Sequence, residues 1–327
     1  MRSFLWIPVV ALYLLAFPIA GIAADKSATV VMLTWRGATA AETSFIKTLE
    51  ASGWNVELVK FDAGRNRAAL AAFLRENSDV LRAADGIYTF GTLTARVVQS
   101  VGLNTVPHVF NIVADPVGTG LVRNLEEPGV LRTGAKVTIS LTSVFQTLDD
   151  AIDFSSVAVL FDPRELTSEA QYHRVADTIS AMGKPVKGVR FVPDTDDVSN
   201  QVSILKRELA DTDLIFVPAA SSFVAHIGRI AEVVPETAVI VGAVEAMVGK
   251  GATVAIAADF AERGRVAGNM MISILEGADP ATIPVSEVPI EEAKIIIDLD
   301  DPRAARIDLS VFKGDVIEIG RFGDAIR

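Results

Sequence analysis

An aromatic ring and a guanidinium group stand side by side directly after the first strand-like run of this chain, at Trp35 and Arg36. A flat ring can cover an apolar body, and a guanidinium fork pairs with a carboxylate through two hydrogen bonds. The pair therefore indicates recognition of a small solute that carries both groups. The alternatives are that Trp35 packs under a loop and that Arg36 forms a surface ion pair.

Carboxylates follow other strand-like runs. Asp115, Glu245 or Asp259 could bind an amine through a charge-assisted hydrogen bond. Because Asp115 precedes Pro116, its carboxylate could also close an Asx-turn, with one oxygen in the turn and the other facing a ligand. The predicted ligand contacts are Thr34, Trp35, Arg36, Gly91, Thr92, Asp115, Asp162, Ala220, Ser221, Ser222, Glu245 and Asp259.

The hydroxyls in this set have two possible uses. Thr92 and the pair Ser221 and Ser222 each precede a helical pattern, where a side-chain oxygen can cap the free N–H groups of the first turn. They could equally contact the ligand. Ser168 and Gln171 have the spacing of a capping box, which predicts that a helix begins at Ser168.

The elements that position these residues alternate between short β-branched runs and segments of helical period. Near-continuous apolar runs are typical of parallel strands buried on both faces, and the alternation predicts βαβ units. Two such sets predict two doubly wound, Rossmann-like α/β lobes. A short helix is also expected at 119–125. The predicted strands are 28–33, 56–61, 86–90, 106–113, 136–140, 157–161, 186–192, 214–217, 238–241, 253–257 and 294–299.

The position of the candidate residues follows from this architecture. Ligands of open α/β sheets bind beyond the carboxyl ends of the strands. In two facing lobes, those ends point into one cleft. The sequence therefore predicts a binding cleft between the lobes.

The first 24 residues have the order of a secretory signal: Arg2, an apolar run from 4 to 17, and small residues at 20–24. The alternative is a membrane anchor, but the run is shorter than the roughly 20 residues that span a bilayer, and Pro18 interrupts it. Since the chain contains no cysteine, it cannot be a lipoprotein anchored through an N-terminal Cys. A periplasmic protein without stable membrane insertion is expected.

Composition argues against several other functions. The chain has 30 basic and 41 acidic residues and no basic cluster, which argues against nucleic-acid binding. His108, His173 and His226 are isolated, and no Cys could complete a metal site. The chain lacks a nucleophile elbow and a phosphate-binding loop, and Gly118-Thr119-Gly120 lacks the third glycine of a dinucleotide fingerprint. We therefore expect neither enzymatic activity nor a cofactor.

Four runs resemble the ABC transporter substrate-binding protein family, some of whose members bind aromatic amino acids. The family pattern is Thr-Asp-Pro-Val-Gly-Ala-Gly-Leu-Val, a Pro-Gly turn, a crossover strand and a late Gly-Ile-Asp-Tyr-Tyr-Glu-Leu-Gly-Arg. The matching runs are 114–122, 128–129, 134–140 and 257–265, and the resemblance covers nearly all of the chain after residue 25.

The resemblance implies two lobes joined by a multi-strand hinge, as in type I periplasmic binding proteins. The expected bounds are 25–138 and 259–285 for the first lobe, and 139–258 and 286–327 for the second. It also implies a monomer that captures a small solute, amino-acid-like before sugar-like, and delivers it to the permease of an ABC importer. The alternative is a periplasmic sensor that signals to a membrane kinase.

Departures from the pattern affect the expected ligand. The family commonly has Pro-Thr-Asp-Asn where this chain has Pro218-Ala219-Ala220-Ser221, so a carboxylate and an amide are lost. Ala114 replaces a common Thr, and Phe260 and Ala261 replace two tyrosines. The ligand of a given relative therefore does not transfer to this chain.

Overall fold

The computed structural model describes residues 26–192 and 198–320, so the predicted signal segment lies outside the described residues. Short 3-10 turns connect several of the elements. In chain order the helices and strands are β1 (Ser27–Thr34), α1 (Ala40–Glu50), β2 (Asn55–Asp62), α2 (Arg67–Glu76), α3 (Ser78–Ala83), β3 (Gly86–Phe90), α4 (Gly91–Ser100), β4 (His108–Val113), β5 (Arg132–Ile139), α5 (Leu141–Ile152), β6 (Val157–Phe161), α6 (Leu166–Ala181), β7 (Val186–Arg190), α7 (Val198–Glu208), β8 (Leu214–Val217), α8 (Ser221–Ala231), β9 (Val239–Gly242), β10 (Val254–Ala258), α9 (Phe260–Leu275), β11 (Ser286–Val288), β12 (Ala293–Asp298) and β13 (Val316–Ile319).

The strands form two sheets, and each sheet defines a lobe. The first lobe has the order β11-β5-β4-β3-β1-β2, with every neighbouring pair parallel. The second has the order β13-β12-β10-β9-β8-β6-β7, parallel except for the β10 and β12 pair. The predicted architecture of two α/β lobes with parallel sheets is confirmed.

Both faces of each sheet are buried, as the apolar runs predict. In β1, Val31 and Leu33 belong to the core shared with α2 and α4, whereas Val30 and Met32 belong to the core shared with α1 and α9. This alternation follows from the two-residue period of a strand. The second lobe likewise has one apolar core on each face of its sheet.

The chain passes between the lobes three times: from β5 to α5, from β10 to α9, and from β11 to β12. Arg263 of α9, fully buried, ties two of these passages together. Its guanidinium donates to Ser286 Oγ and the Glu287 carbonyl, each at 3.0 Å, and to Glu292 Oε2 at 2.7 Å. The hinge is therefore built from several strands and an internal cation.

Several local expectations differ from the structure. Residues 116–122 form turns and bends, so the helix predicted at 119–125 is absent there. Ser168 does not begin a helix: it lies inside α6 and its hydroxyl accepts from the Asp162 N–H at 3.0 Å, so the predicted capping box is wrong. The first sheet extends to Ile139 and includes Ser286–Val288, just past the expected lobe bounds. Those bounds remain a prediction.

Candidate ligand-binding cleft

Strand order gathers most of the predicted contacts at one edge of each sheet. In the first lobe, β4, β3 and β1 are neighbours, and the segments after them carry Asp115, Gly91 and Thr92, and Trp35 and Arg36. In the second lobe, β9, β8 and β6 are neighbours, and Glu245, the 220–222 segment and Asp162 follow them. Each set lies at the carboxyl ends of parallel strands, where α/β proteins bind ligands.

The exposed carboxylate of Asp62 fixes the loop after β1. The Asp62 carboxylate accepts hydrogen bonds from the N–H groups of Gly37 and Gly64 and from the Thr34 hydroxyl, and the backbone bonds are the main cause that lowers the pKa of Asp62. Thr34 is buried, so its hydroxyl supports the loop and is not free for a ligand. Trp35 is half-buried against both cores of the lobe, while Arg36 is exposed.

The start of α4 is open. Gly91 adopts φ +81°, a left-handed conformation that glycine accommodates without steric cost, and no side chain caps the helix. Thr92 is the second helical residue, so the capping use of its hydroxyl is wrong. Uncapped N–H groups at a helix N-terminus favour anions such as a carboxylate.

Beneath this edge lies a buried polar network that the sequence did not reveal. The Tyr88 hydroxyl donates to Glu42 Oε1 at 2.8 Å and accepts from Asn111 Nδ2 at 3.2 Å. Glu42 Oε2 accepts from the N–H and hydroxyl of Thr39, each at 2.7 Å. Burial, and next the charge of Glu42, raise the pKa of Tyr88 well above its usual value. In the sequence, the capping-box spacing of Thr39 and Glu42 was the one feature that could have indicated this network.

Ile112, next to this network, has an unusual backbone. Its φ of +57° is left-handed, a costly conformation for a β-branched residue, and the pairing of β4 with β5 shifts register between Phe110 and Val113. Asn111 Oδ1 accepts from the Ile112 N–H at 2.9 Å and so helps to hold this conformation. The strained residue lies three positions before Asp115, at the edge where the ligand is expected.

Asp115 closes the Asx-turn that the sequence offered as its alternative role. Its Oδ1 accepts from the Gly118 N–H at 2.7 Å, and its carbonyl accepts from the Thr119 hydroxyl at 2.6 Å. A Cβ at position 118 would lie 2.1 Å from Asp115 Oδ2, so glycine is required there. Asp115 is nevertheless exposed at the strand edge, which leaves its carboxylate accessible to a solute.

In the second lobe, Asp162 has a structural role. Its carboxylate is fully buried and pairs with Arg164, with Oδ2 2.8 Å from the Arg164 Nη2 atom. Burial alone would raise the pKa of Asp162, but the hydrogen bonds from the side chain and backbone of Arg164 outweigh it and lower the pKa. Asp162 is therefore already neutralised by a neighbour within its own loop.

The loop after β8 is held by Glu165, which the sequence did not single out, and by Gln171, which was predicted only as a capping-box residue. Glu165 Oε1 accepts from the Ser222 hydroxyl at 2.5 Å and from the Ser222 N–H at 3.4 Å, while Gln171 Oε1 accepts from the Ala219 N–H at 3.1 Å. Ala220 is the buried N-cap of α8 and offers no capping group. The side chain of Ser221 lies outside the described residues.

The last two predicted carboxylates differ in surroundings. Glu245 is exposed and begins a 3-10 turn after β9. Asp259 is the N-cap of α9, where Oδ1 accepts from the Ala261 N–H at 2.7 Å and lies 3.6 Å from Lys294 Nζ. Asp259 therefore caps a helix at the hinge and already has a cationic neighbour.

Other kinds of site are poorly represented in the described part of the chain. Within residues 26–192 and 198–320, no group of three or more His, Asp or Glu side chains is placed to hold a metal ion. No described helix has both the length and the apolar character needed to cross a membrane. Two surface cavities, of about 440 and 700 Å³, lie between α1 and α9 and beside α7 and α8, and none of the predicted contacts lines either one.

Two parallel-sheet lobes joined by three passages define the fold of type I periplasmic binding proteins. Residues 27–309 match the family described as ABC transporter substrate binding protein, and the chain belongs to this family. The resemblance seen in the four sequence runs is thereby confirmed.

Known relatives agree with this assignment. The chain is 24% identical over 290 residues to a tyrosine-binding protein of Clostridioides difficile (strain R20291), covering 85% of this chain and 79% of that protein. Among solved structures, it is similar to a ligand-free, open substrate-binding protein with adhesive properties from Clostridium difficile, with a TM-score of 0.78, 20% identity and coverage of 89% and 99%. A domain from Streptococcus pneumonia in complex with L-Trp has a TM-score of 0.63, 20% identity and coverage of 89% and 100%.

Proposed function

We propose that this protein captures a small amino-acid-like solute between its lobes and delivers it to the permease of an ABC importer. The observation that carries the proposal is the convergence of polar groups at the carboxyl-end edge of each sheet, in a family of substrate-binding proteins. The names of the relatives, one tyrosine-binding and one in complex with L-Trp, support an aromatic amino acid as the first ligand to test.

The first-lobe edge supports recognition of the carboxylate of such a ligand. Arg36 is exposed and can pair with it bidentately, and the uncapped start of α4 beside Thr92 offers N–H groups. Trp35, supported from below by both cores, offers an aromatic surface for the apolar part.

The proposed mechanism is ligand-driven closure. A solute that contacts both lobes only in the closed form shifts the equilibrium toward closure by its differential affinity. The three passages restrict the motion to opening and closing, and no catalytic step is needed. We further propose that the mature protein begins after residue 23 or 24 and works as a periplasmic monomer.

A thermal-shift screen of amino acids and sugars tests the proposal. At about 100 times its dissociation constant, a true ligand stabilises the protein by about 2.7 kcal/mol. Arg36→Ala should remove most of this stabilisation and leave the ligand-free melting temperature nearly unchanged, because Arg36 is exposed. Arg67→Ala, at another exposed arginine at the start of α2, is the matched control. A shift with neutral sugars alone, or unchanged binding by Arg36→Ala, would refute the amino-acid assignment.

A further inference from the structure

Glu165 occupies the place of a missing helix cap. The β6–α6 loop and the β8–α8 loop are adjacent because β6 and β8 are paired. The N-cap of α8 is Ala220, where the family pattern commonly has Asp, and it provides no capping oxygen. Glu165 supplies one from the neighbouring loop, since its Oε1 accepts from the N–H and hydroxyl of Ser222. The carboxylate lost from the α8 loop is thus restored by another part of the chain.

The charge of Glu165 is not neutralised by its contacts. Both of its hydrogen-bond donors belong to Ser222 and are neutral, and Oε2 has no hydrogen-bond partner among the described residues. In contrast, Asp162 is paired with Arg164, and Asp259 has Lys294 nearby. Glu165 is also half-buried, so solvent screens it less than an exposed carboxylate.

We infer that Glu165 binds the amine of the ligand, an inference that rests on the proposed function. Ser222 holds one carboxylate oxygen beside the loop after β8, and the other oxygen is left to accept a charge-assisted hydrogen bond from an ammonium group. Glu165 was not among the contacts predicted from the sequence, and it replaces Glu245 and Asp259 as the main amine acceptor of the second-lobe side.

The assignment also fixes how the ligand lies in the cleft. A ligand carboxylate next to Glu165 would be repelled, whereas Arg36 and the open start of α4 attract it on the first lobe. The amino acid therefore lies with its carboxylate toward the first lobe and its amine toward the second. A ligand held by its carboxylate on one lobe and by its amine on the other favours the closed form, because only there do both lobes contact it.

Glu165→Gln tests this role, because the amide keeps an oxygen for Ser222 while the charge is removed. Dissociation constants are measured calorimetrically for L-tyrosine and L-tryptophan and for their deamino analogues, 3-(4-hydroxyphenyl)propionate and indole-3-propionate. The variant should bind the amino acids about tenfold or more weakly, the loss of a hydrogen bond to a charged group. Its affinity for the deamino analogues should change less than about twofold.

Gln171→Ala is the control for a purely structural role, since it removes the other side chain that holds the same loop. It should weaken amino acids and deamino analogues by the same factor. An equal loss for both ligand types in Glu165→Gln, or no loss for the amino acids, would overturn the inference. If the wild-type protein binds only solutes that lack an amine, Glu165 is wrongly assigned while solute capture stands. Failure to bind any solute would refute the proposed function itself.

Discussion

The first-lobe edge presents an exposed cation, Arg36, and an uncapped helix start beside the Asp115 turn, whereas the second-lobe edge presents the unneutralised carboxylate of Glu165 next to the Asp162–Arg164 pair. Their support also differs. A buried network around Glu42 and a left-handed Ile112 lie under the first edge. Hydrogen bonds from the loop after β8 to Glu165 and to Gln171 of α6 hold the second. The comparison indicates that opposite charges are held in place by different means: a buried network in one lobe, and contacts between neighbouring surface segments in the other.

The largest expected effect comes from the network under the first edge. Glu42→Ala leaves the hydroxyl of Tyr88 and the donors of Thr39 without their acceptor, and each lost hydrogen bond to a charged group costs about 1.5–3 kcal/mol. We expect a loss of about 3 kcal/mol or more in the free energy of unfolding, measured with denaturant.

The readout can be made specific to one lobe. Apart from Trp6, the tryptophans of the chain are Trp35 and Trp54, both in the first lobe, so tryptophan fluorescence reports on that lobe alone. Glu50→Ala, at the exposed end of the same helix, is the control and should change stability little. Equal losses in the two variants would mean that the network does not support the lobe.

A smaller effect is expected from mild acid, again in the first lobe. Burial, and next the charge of Arg132, lower the pKa of His108 to about 3. The folded state therefore keeps His108 neutral at pH 5, while the unfolded chain binds a proton with its ordinary pKa near 6.5. Neutral His108 therefore makes its full contribution to the free energy of unfolding above about pH 6.5, and this contribution is lost as the pH falls toward 3. Between pH 7 and pH 5 this loss is about 2 kcal/mol.

Denaturant titrations at these two pH values, followed by tryptophan fluorescence, measure the loss. His108→Gln should reduce the pH dependence, while His173→Gln, at an exposed histidine, should retain it. A wild-type protein that is equally stable at both pH values would contradict the neutral, buried state of His108.

The smallest effect concerns the second lobe. The pKa of Asp162 is lowered in the folded state, so its ionised carboxylate stabilises the fold at pH values above its unfolded pKa near 3.8. This stabilisation is lost as the pH falls through the lower pKa of the folded state. Asp162→Asn should therefore show a shallower decline in stability between pH 5 and pH 3. Circular dichroism follows both lobes and so includes this one, which contains no tryptophan. A decline as steep as that of the wild type would show that the Arg164 pair does not set the acid sensitivity.

Sequence predicted the central strands well because these are continuous apolar runs: 86–90, 157–161 and 214–217 agree with β3, β6 and β8 at both ends. It missed β11 and β13, since a three- or four-residue strand with a central or penultimate glutamate resembles a loop. The candidate residues at the carboxyl ends of the strands were selected from the positions of the predicted strands alone. Glu165 was missed because its role depends on β6 and β8 being neighbours, which no local pattern encodes.

The interleaved path of the chain has a consequence for the order of folding during synthesis. The face of the first sheet that carries Met32 and Tyr88 is covered by α9, and its last strand, β11, comes after the strands β6 to β10 of the second lobe. A nascent chain that ends before residue 260 lacks both elements. The lobe that begins first is therefore completed late, only after nearly all of the chain has been made.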